Sequence, residues 1–368
     1  MKNLLPKFLI FTFVLIANAC SNNIAIQKET NAPVNSVLTP SPVVKDFTAL
    51  TGALAGLSEV EVREILLPEP YNAAKMEFSG LAWWGETLVL LPQYPGRLGQ
   101  DGEGLLVTIS KTTLMAYLSS DNEAPIEVGT LRFEDDGLSE SLPGFEGYEA
   151  IAFSEERVYV TIETNAGSAM MGYLAVGTVG EDGSSIKLDL QKLVPLSPQT
   201  KFKNASDESL VVYNNAIYTI FEDNGAELNP GAFARVFDQN LNPLPVLEFP
   251  AIEYRVTDAA EALPDGTFWV MNYFYTGDVH LRASSDAISE RFGEGGSHQR
   301  SDRVERIITL AIKDGQIILL DQPPIYLKLT FDGSSRNWEG LARLDDIGFL
   351  VVSDSFPRTI LGFLPDPR

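Results

Sequence analysis

Apolar runs of four or five residues, each entered through a turn, recur from about residue 80 to the C-terminus. Leu88–Leu91 follows Gly85, Val158–Ile162 follows Glu155-Glu156, and Ile217–Phe221 follows Asn214-Asn215. Phe268–Met271 then follows Asp265-Gly266, and Phe349–Val352 follows Asp345-Asp346. Runs bounded in this way by Gly, Asn and Asp are hairpin signals. Further strands are predicted after each hairpin, at 105–109 and 126–133, 172–177 and 186–193, 232–237 and 245–249, 304–312 and 316–320, and 359–364. No segment sustains the 3.6-residue apolar period of a helix.

A short phrase stands before each run: usually an acidic residue, a small residue, an aliphatic, and another small or compact residue. It reads Ser79-Gly80-Leu81-Ala82, Glu149-Ala150-Ile151-Ala152, Glu208-Ser209-Leu210-Val211, Glu261-Ala262-Leu263-Pro264 and Glu339-Gly340-Leu341-Ala342, at spacings of 53 to 78 residues. Self-similarity at this period marks a repeat architecture. The last repeat is one strand short, and Val60–Pro68 precedes the first repeat and can supply it. Four-stranded antiparallel units closed by an N-terminal strand describe an all-β protein, a β-propeller. Five blades can be counted, and a sixth, divergent blade near residues 40–60 is left open.

The first residues read as an address. Lys2 and Lys7 precede the apolar run Phe8–Ile16, and Ala17-Asn18-Ala19 leads to Cys20, the chain's one cysteine. This resembles a bacterial lipoprotein signal, which implies lipidation at Cys20 and a membrane anchor; the other reading is an ordinary secretory leader. Residues 1–19 are read as signal, 20–45 as a flexible tether rich in Asn, Thr, Ser and Pro, and 46–368 as one propeller domain. The expected location is the envelope, on the periplasmic side of an outer membrane in a Gram-negative host. The chain carries 27 basic and 50 acidic residues, a net charge of −23. Removing Lys2 and Lys7 with the leader makes this −25. A surface so acidic excludes nucleic-acid binding. The domain is expected to be a monomer.

In a four-stranded blade the start of the inner strand and the end of the second strand share one rim of the central channel. The phrase therefore places Glu149, Glu208, Glu261 and Glu339 on that rim. A second polar position, 12 to 15 residues later, adds Gln93, Glu163, Glu222, Tyr273 and Asp354. Carboxylates gathered around one axis raise one another's pKa unless a cation intervenes. A hard ion such as Ca²⁺, taking oxygen ligands from Glu149, Glu208, Glu261, Glu339, Glu163, Glu222 and Asp354, is one solution. Hydrogen bonding of each Glu to a neighbouring blade is the other. Two histidines and one cysteine give little support to zinc or copper. Cations for an anionic substrate are expected from Arg97, His280, Arg282 and Arg358, the middle two on a long unstructured loop, 274–302.

Asp207–Asn229, Thr257–Asn272 and above all Asn337–Pro365 resemble the esterase-like activity of phytase family of secreted propellers. That resemblance implies hydrolysis of phosphate or carboxylic esters. With calcium on the rim, Glu149 or Glu339 would serve as the catalytic base. No G-x-S-x-G elbow, P-loop or H-E-x-x-H occurs. The alternative function is a non-catalytic envelope lipoprotein whose rim binds a ligand or a protein.

Overall fold

The structure is a computed structural model that describes residues 57–99, 103–120, 124–167 and 170–368. The leader, Cys20, the tether and most of the segment in which a sixth blade was left open lie outside the described residues.

Among the described residues, all strands but Glu59–Val60 and Ile325–Leu327 fall into five four-stranded antiparallel units. The first is Phe78–Trp84, Thr87–Pro92, Gly104–Ser110 and Gly129–Glu134; the second is Phe145–Ser154, Arg157–Asn165, Met170–Val179 and Ser185–Leu196. The third is Asp207–Tyr213, Ala216–Phe221, Phe233–Asp238 and Pro243–Glu248; the fourth is Arg255–Ala259, Thr267–Phe274, Val304–Lys313 and Gln316–Leu319. The fifth takes Trp338–Leu344, Gly348–Ser353 and Leu361–Pro365 from the C-terminus and Arg63–Ile65 from the start of the domain, registered as Arg63 opposite Phe363 and Ile65 opposite Leu361. The inner strands pack side by side, each on the next, and the fifth on the first. This is a β-propeller ring closed by an N-terminal strand.

The sequence pattern follows from that packing. Second strands lie between neighbouring units and are buried on both faces, as in Ala216–Phe221 and Gly348–Ser353, so they read as unbroken apolar runs. The outer strand Pro243–Glu248 is almost wholly exposed. Asn214 and Asn215 turn their hairpin with φ of 48° and 60°, the left-handed values that a two-residue primed turn requires. Closure is apolar as well. Ile65 and Leu361 share one buried cluster with Leu81 and Leu90 of the first unit and Ala342 and Val352 of the fifth.

Two expectations are revised. The short helices Lys111–Leu118, Leu138–Ser141 and Ala287–Phe292 have no counterpart in the strand pattern. The first is set by its cap, the Ser110 side chain accepting the Thr113 N–H at 3.0 Å, and is too short to display a period. The segment 274–302 is an ordered insertion: it contains Ala287–Phe292 and turns at Val279–Leu281 and His298–Arg300. Its anchor is Glu59, whose Oε1 faces His298 Nδ1 at 2.8 Å and accepts the Ser297 N–H and O–H at 2.8 and 2.6 Å. His298 Nε2 accepts the Glu305 N–H at 3.2 Å, so Nδ1 carries the ring proton of the neutral side chain. Burial holds the His298 pKa below its usual value despite Glu59.

Candidate active site

The pairing of first and second strands fixes which residues are equivalent around the ring. In every unit the pairing of first and second strands slips at one equivalent residue, Ser79, Glu149, Glu208, Thr257 or Glu339, and the second unit slips once more, at Glu146. The fourth ring position is therefore Thr257, four residues before Glu261. Glu261 lies beyond the end of its inner strand with part of its surface exposed, and its carboxylate accepts from its own N–H and, at 3.5 Å, from the Arg343 N–H. The two hydroxyl members link neighbouring units: Ser79 Oγ donates to the Tyr148 carbonyl at 2.5 Å and Thr257 Oγ1 to that of Trp338 at 2.6 Å. The next residue on the same strand, the buried Asp258, accepts N–H groups from Leu341 (2.7 Å), Ala259 (2.8 Å) and Leu81 (3.3 Å), tying three inner strands together. The carboxyl members cannot donate in this way when ionised, and they face a cavity.

That cavity has a volume of about 640 Å³, within the usual range for small-molecule sites. Its carboxyl lining comprises Glu77, Glu149, Glu163, Glu208, Glu339, Asp278 and Asp354, with Gln93, Tyr273, Tyr275 and Arg255 among the other polar groups. Buried oxygens without a hydrogen-bond partner concentrate here: Glu163 Oε1, Glu208 Oε2 and, beneath them, Glu222 Oε1. Such orphans are rare in folded proteins and call for a proton, a water or a ligand.

Burial is the main cause of the electrostatics. It pushes Glu149 up to about 7, against the hydrogen bond that Gln93 Nε2 donates to Glu149 Oε1 at 3.1 Å, with help from the Glu222 charge. Burial and then Glu149 push Glu163 up to about 8. Glu208 and Glu339 lie well above the carboxylate range for the same first reason, reinforced by Glu222 and Asp354 respectively. Asp354 is raised too, chiefly by burial, but its carboxylate accepts the Phe356 N–H at 2.7 Å, which favours the ionised form. One cavity thus holds Glu149, pushed up to about 7, and Asp354, raised by burial but with its ionised form hydrogen-bonded by a backbone N–H.

The cation of the site is Arg255. Its Nε donates to Asp278 Oδ2 at 3.1 Å and its Nη1 donates to the fully buried Glu222. Burial still pushes Glu222 up to about 8, with Arg255 opposing. Nothing in the phrase pointed to Arg255. Registering the fourth repeat on Thr257 would have placed it two residues before the ring.

The remaining expected residues stand as follows. Glu149, Glu163, Glu208, Glu339 and Asp354 line the cavity, whereas Glu222 sits behind Arg255 and Glu261 lies elsewhere. Arg97 pairs with Glu77 at the cavity edge, and Arg358 pairs with Glu64 through two contacts of 2.6 Å. His280 stacks on Phe202 at 5.1 Å and Arg282 pairs with Asp302 at 3.0 Å. None of these four cations, nor His298, lines the cavity. Among the described residues no three His, Cys, Asp or Glu side chains are grouped closely enough to hold a metal ion.

Fold and site together define a β-propeller with a carboxyl-lined central cavity. No family model matches the chain, and no curated protein matches it. Solved structures similar to it include a GH130 protein from a study of glycoside hydrolases that target β-1,2-mannosidic linkages in Candida mannan (11% identity, TM-score 0.45, covering 84% of this chain and 97% of that one). Another is described as a putative glycoside hydrolase from Parabacteroides distasonis (13%, TM-score 0.43, 84% and 98%). A third is the catalytic domain of a Coprinopsis cinerea GH62 α-L-arabinofuranosidase (7%, TM-score 0.45, 83% and 96%). The fold assignment itself rests on the strand pairing above.

Proposed function

We propose that the cavity is the active site of a hydrolase that cleaves a glycosidic bond by carboxyl acid–base chemistry. The observation that carries this reading is the pairing in one cavity of Glu149, held protonated to about pH 7, with Asp354, whose ionised form is hydrogen-bonded. Carboxyl pairs whose pKa values are pushed apart are the means by which glycosidic bonds are hydrolysed. Glu149 gives its proton to the leaving glycosidic oxygen as the C–O bond breaks. A water adds to the anomeric carbon and Asp354 takes the water's proton, so the leaving fragment departs as an alcohol and the other as a hemiacetal, a new reducing end. Gln93 holds Glu149 by its Oε1, leaving Oε2 as the proton's position.

The substrate class follows from charge. A neutral polyol offers hydroxyls to a lining of carboxyl and amide groups, whereas a phosphate ester would meet repulsion from every ionised member. Ester cleavage by a serine–histidine pair finds no histidine in the cavity, since His280 and His298 are both engaged elsewhere.

Calcium-dependent ester hydrolysis, the phytase-like reading, is the second arm of the same test. A Ca²⁺ ion there would draw oxygens from Glu149, Glu163, Glu208, Glu339 and Asp354, which would have to close on it and give up protons. The purified chain is incubated with a panel of oligosaccharides, a phosphomonoester and a carboxylic ester, each with Ca²⁺ and with EGTA. Release of reducing ends from at least one glycan, unchanged by EGTA, is expected. Calcium-dependent release of phosphate or acid, with no glycan cleaved, would replace this reading by the ester one. Binding of a glycan without turnover would favour the binding-platform alternative.

Export and anchoring through Cys20 belong to the same proposal and would set the cavity at an envelope surface. Labelled palmitate should be incorporated by the parent and not by Cys20→Ser; equal labelling of the two would remove the anchor.

A further inference from the structure

Among the described residues only three aromatic side chains are exposed: Tyr275 at 48%, Phe356 at 69% and Phe331 at 109%. All three belong to loops that border the carboxyl cavity. Tyr275 and Phe356 line it, and Phe331 stands two residues before Gly333, Ser334 and Ser335, which also line it. The loops follow Thr267–Phe274, precede Trp338–Leu344 and follow Gly348–Ser353, so the aromatics flank the fourth- and fifth-unit side of the mouth. The lining from the neighbouring first and third units is polar: Glu77, Gln93 and Asn204.

An exposed aromatic adds nothing to the core, and three gathered at one cavity mouth mark a binding surface. Tyr94, Phe145 and Tyr148, by contrast, are packed edge to face with one another. The occupant must continue a ligand already seated among carboxyl groups, and it must offer flat apolar faces beside hydroxyls. A sugar ring does both, with C–H faces above and below and hydroxyls around its edge. A nucleic acid offers bases to stack but is repelled by a chain of net charge −23. An anionic membrane meets the same repulsion at the acidic mouth.

Resting on the glycosidic reading of the cavity, we infer that the mouth is a stacking platform for a neutral glycan chain. The substrate is an oligosaccharide or polysaccharide of several rings. One bond is held at Glu149 while further rings lie over Phe356, Tyr275 and, outermost, Phe331. Glu77, Gln93 and Asn204 accept from or donate to hydroxyls along the ring edges.

The test compares disaccharides with hexasaccharides of the glucan, mannan, xylan and arabinan series. Binding is followed by calorimetry and turnover by reducing ends, for the parent and for Phe331→Ala. Phe331 lies outside the cavity and makes no core contact, so its variant keeps the parent's melting temperature. One series should bind roughly five- to ten-fold tighter as the hexasaccharide, from a stacking contribution of about 1 kcal/mol. Phe331→Ala should lose much of that gain. Equal affinity for both lengths, with the disaccharide still cleaved, overturns the platform and leaves the acid–base site standing. Length-dependent binding without turnover keeps the platform and removes the acid–base reading. No binding of any glycan, or sedimentation with neutral vesicles that Phe331→Ala abolishes, overturns the platform in favour of another occupant.

Discussion

Glu149→Gln is expected to lower kcat on a cleaved glycan by about 10²–10⁴-fold, with KM changed little. The amide keeps the volume of the side chain and can still face Gln93, so the cavity is preserved while the transferable proton is lost. The loss therefore falls on the transition state rather than on binding. In the parent, kcat should fall on the alkaline side near pH 7, where Glu149 gives up its proton. In the variant that limb should vanish from the residual rate. Glu261→Gln is the matched control, because Glu261 is exposed and away from the cavity. Steady-state rates of the three proteins between about pH 5 and 9 read all of this. Equal rates for Glu149→Gln and the parent would remove Glu149 as the acid.

The second large effect is on stability, and its sign is opposite to that of a protein held by ionised carboxylates. Glu149, Glu163 and Glu222 start from 4.5 and are pushed to about 7, about 8 and about 8 in the fold. The folded chain therefore holds more protons than the unfolded chain between these values. Where that is so, stability falls as pH rises. Their contribution is complete below about pH 4.5 and is lost as pH climbs through 7 to 8. The scale is about 1.4 kcal/mol per pH unit for one such group. Taken independently the three shifts would exceed about 10 kcal/mol at this scale, but each already includes the charge of another and their titrations merge, so the combined fall is smaller, on the order of 5 kcal/mol. At about 2 °C for each kcal/mol in a chain of this size, the melting temperature should drop by about 10 °C between about pH 5 and 9. Glu163→Gln, a permanent mimic of the neutral form, should melt above the parent at the alkaline end and shallow the slope. Calorimetric melts across this range check it. A melting temperature that climbs from about pH 5 to 8 would mean that the buried carboxyls are ionised and paired.

The parts of the fold legible in sequence are those in which burial is two-sided. Ala216–Phe221 and Gly348–Ser353 announce themselves because both faces are packed, and their turns carry Asn214-Asn215 and Asp345-Asp346. The closing strand was legible because the last repeat lacked a fourth member. The parallel pairing of Glu59–Val60 with Ile325–Leu327 was not, because it adds a strand beyond the four-strand pattern.

At the site, Glu149, Glu208 and Glu339 were legible as a repeated position. The fourth copy misled, because Glu261-Ala262-Leu263 imitates the phrase while the bulge lies at Thr257. A bulge is a property of pairing between two strands and leaves no mark on one strand alone. Arg255 was missed for a related reason: its partners Glu222 and Asp278 are 33 and 23 residues away and meet it only in three dimensions. The contact of His298 with Glu59 spans 239 residues and fastens the insertion to the start of the domain, a pairing no local pattern shows.

Acid–base cleavage in this cavity depends on one proton, that of Glu149. Carbon-13 NMR of the chain labelled at the Glu side-chain carboxyl carbon, with the Glu149 signal assigned by its loss in Glu149→Gln, measures where that proton leaves. A Glu149 carboxyl that titrates near pH 7 is the predicted result. A Glu149 signal already that of a carboxylate at about pH 5.5 would contradict the acid–base site at its source.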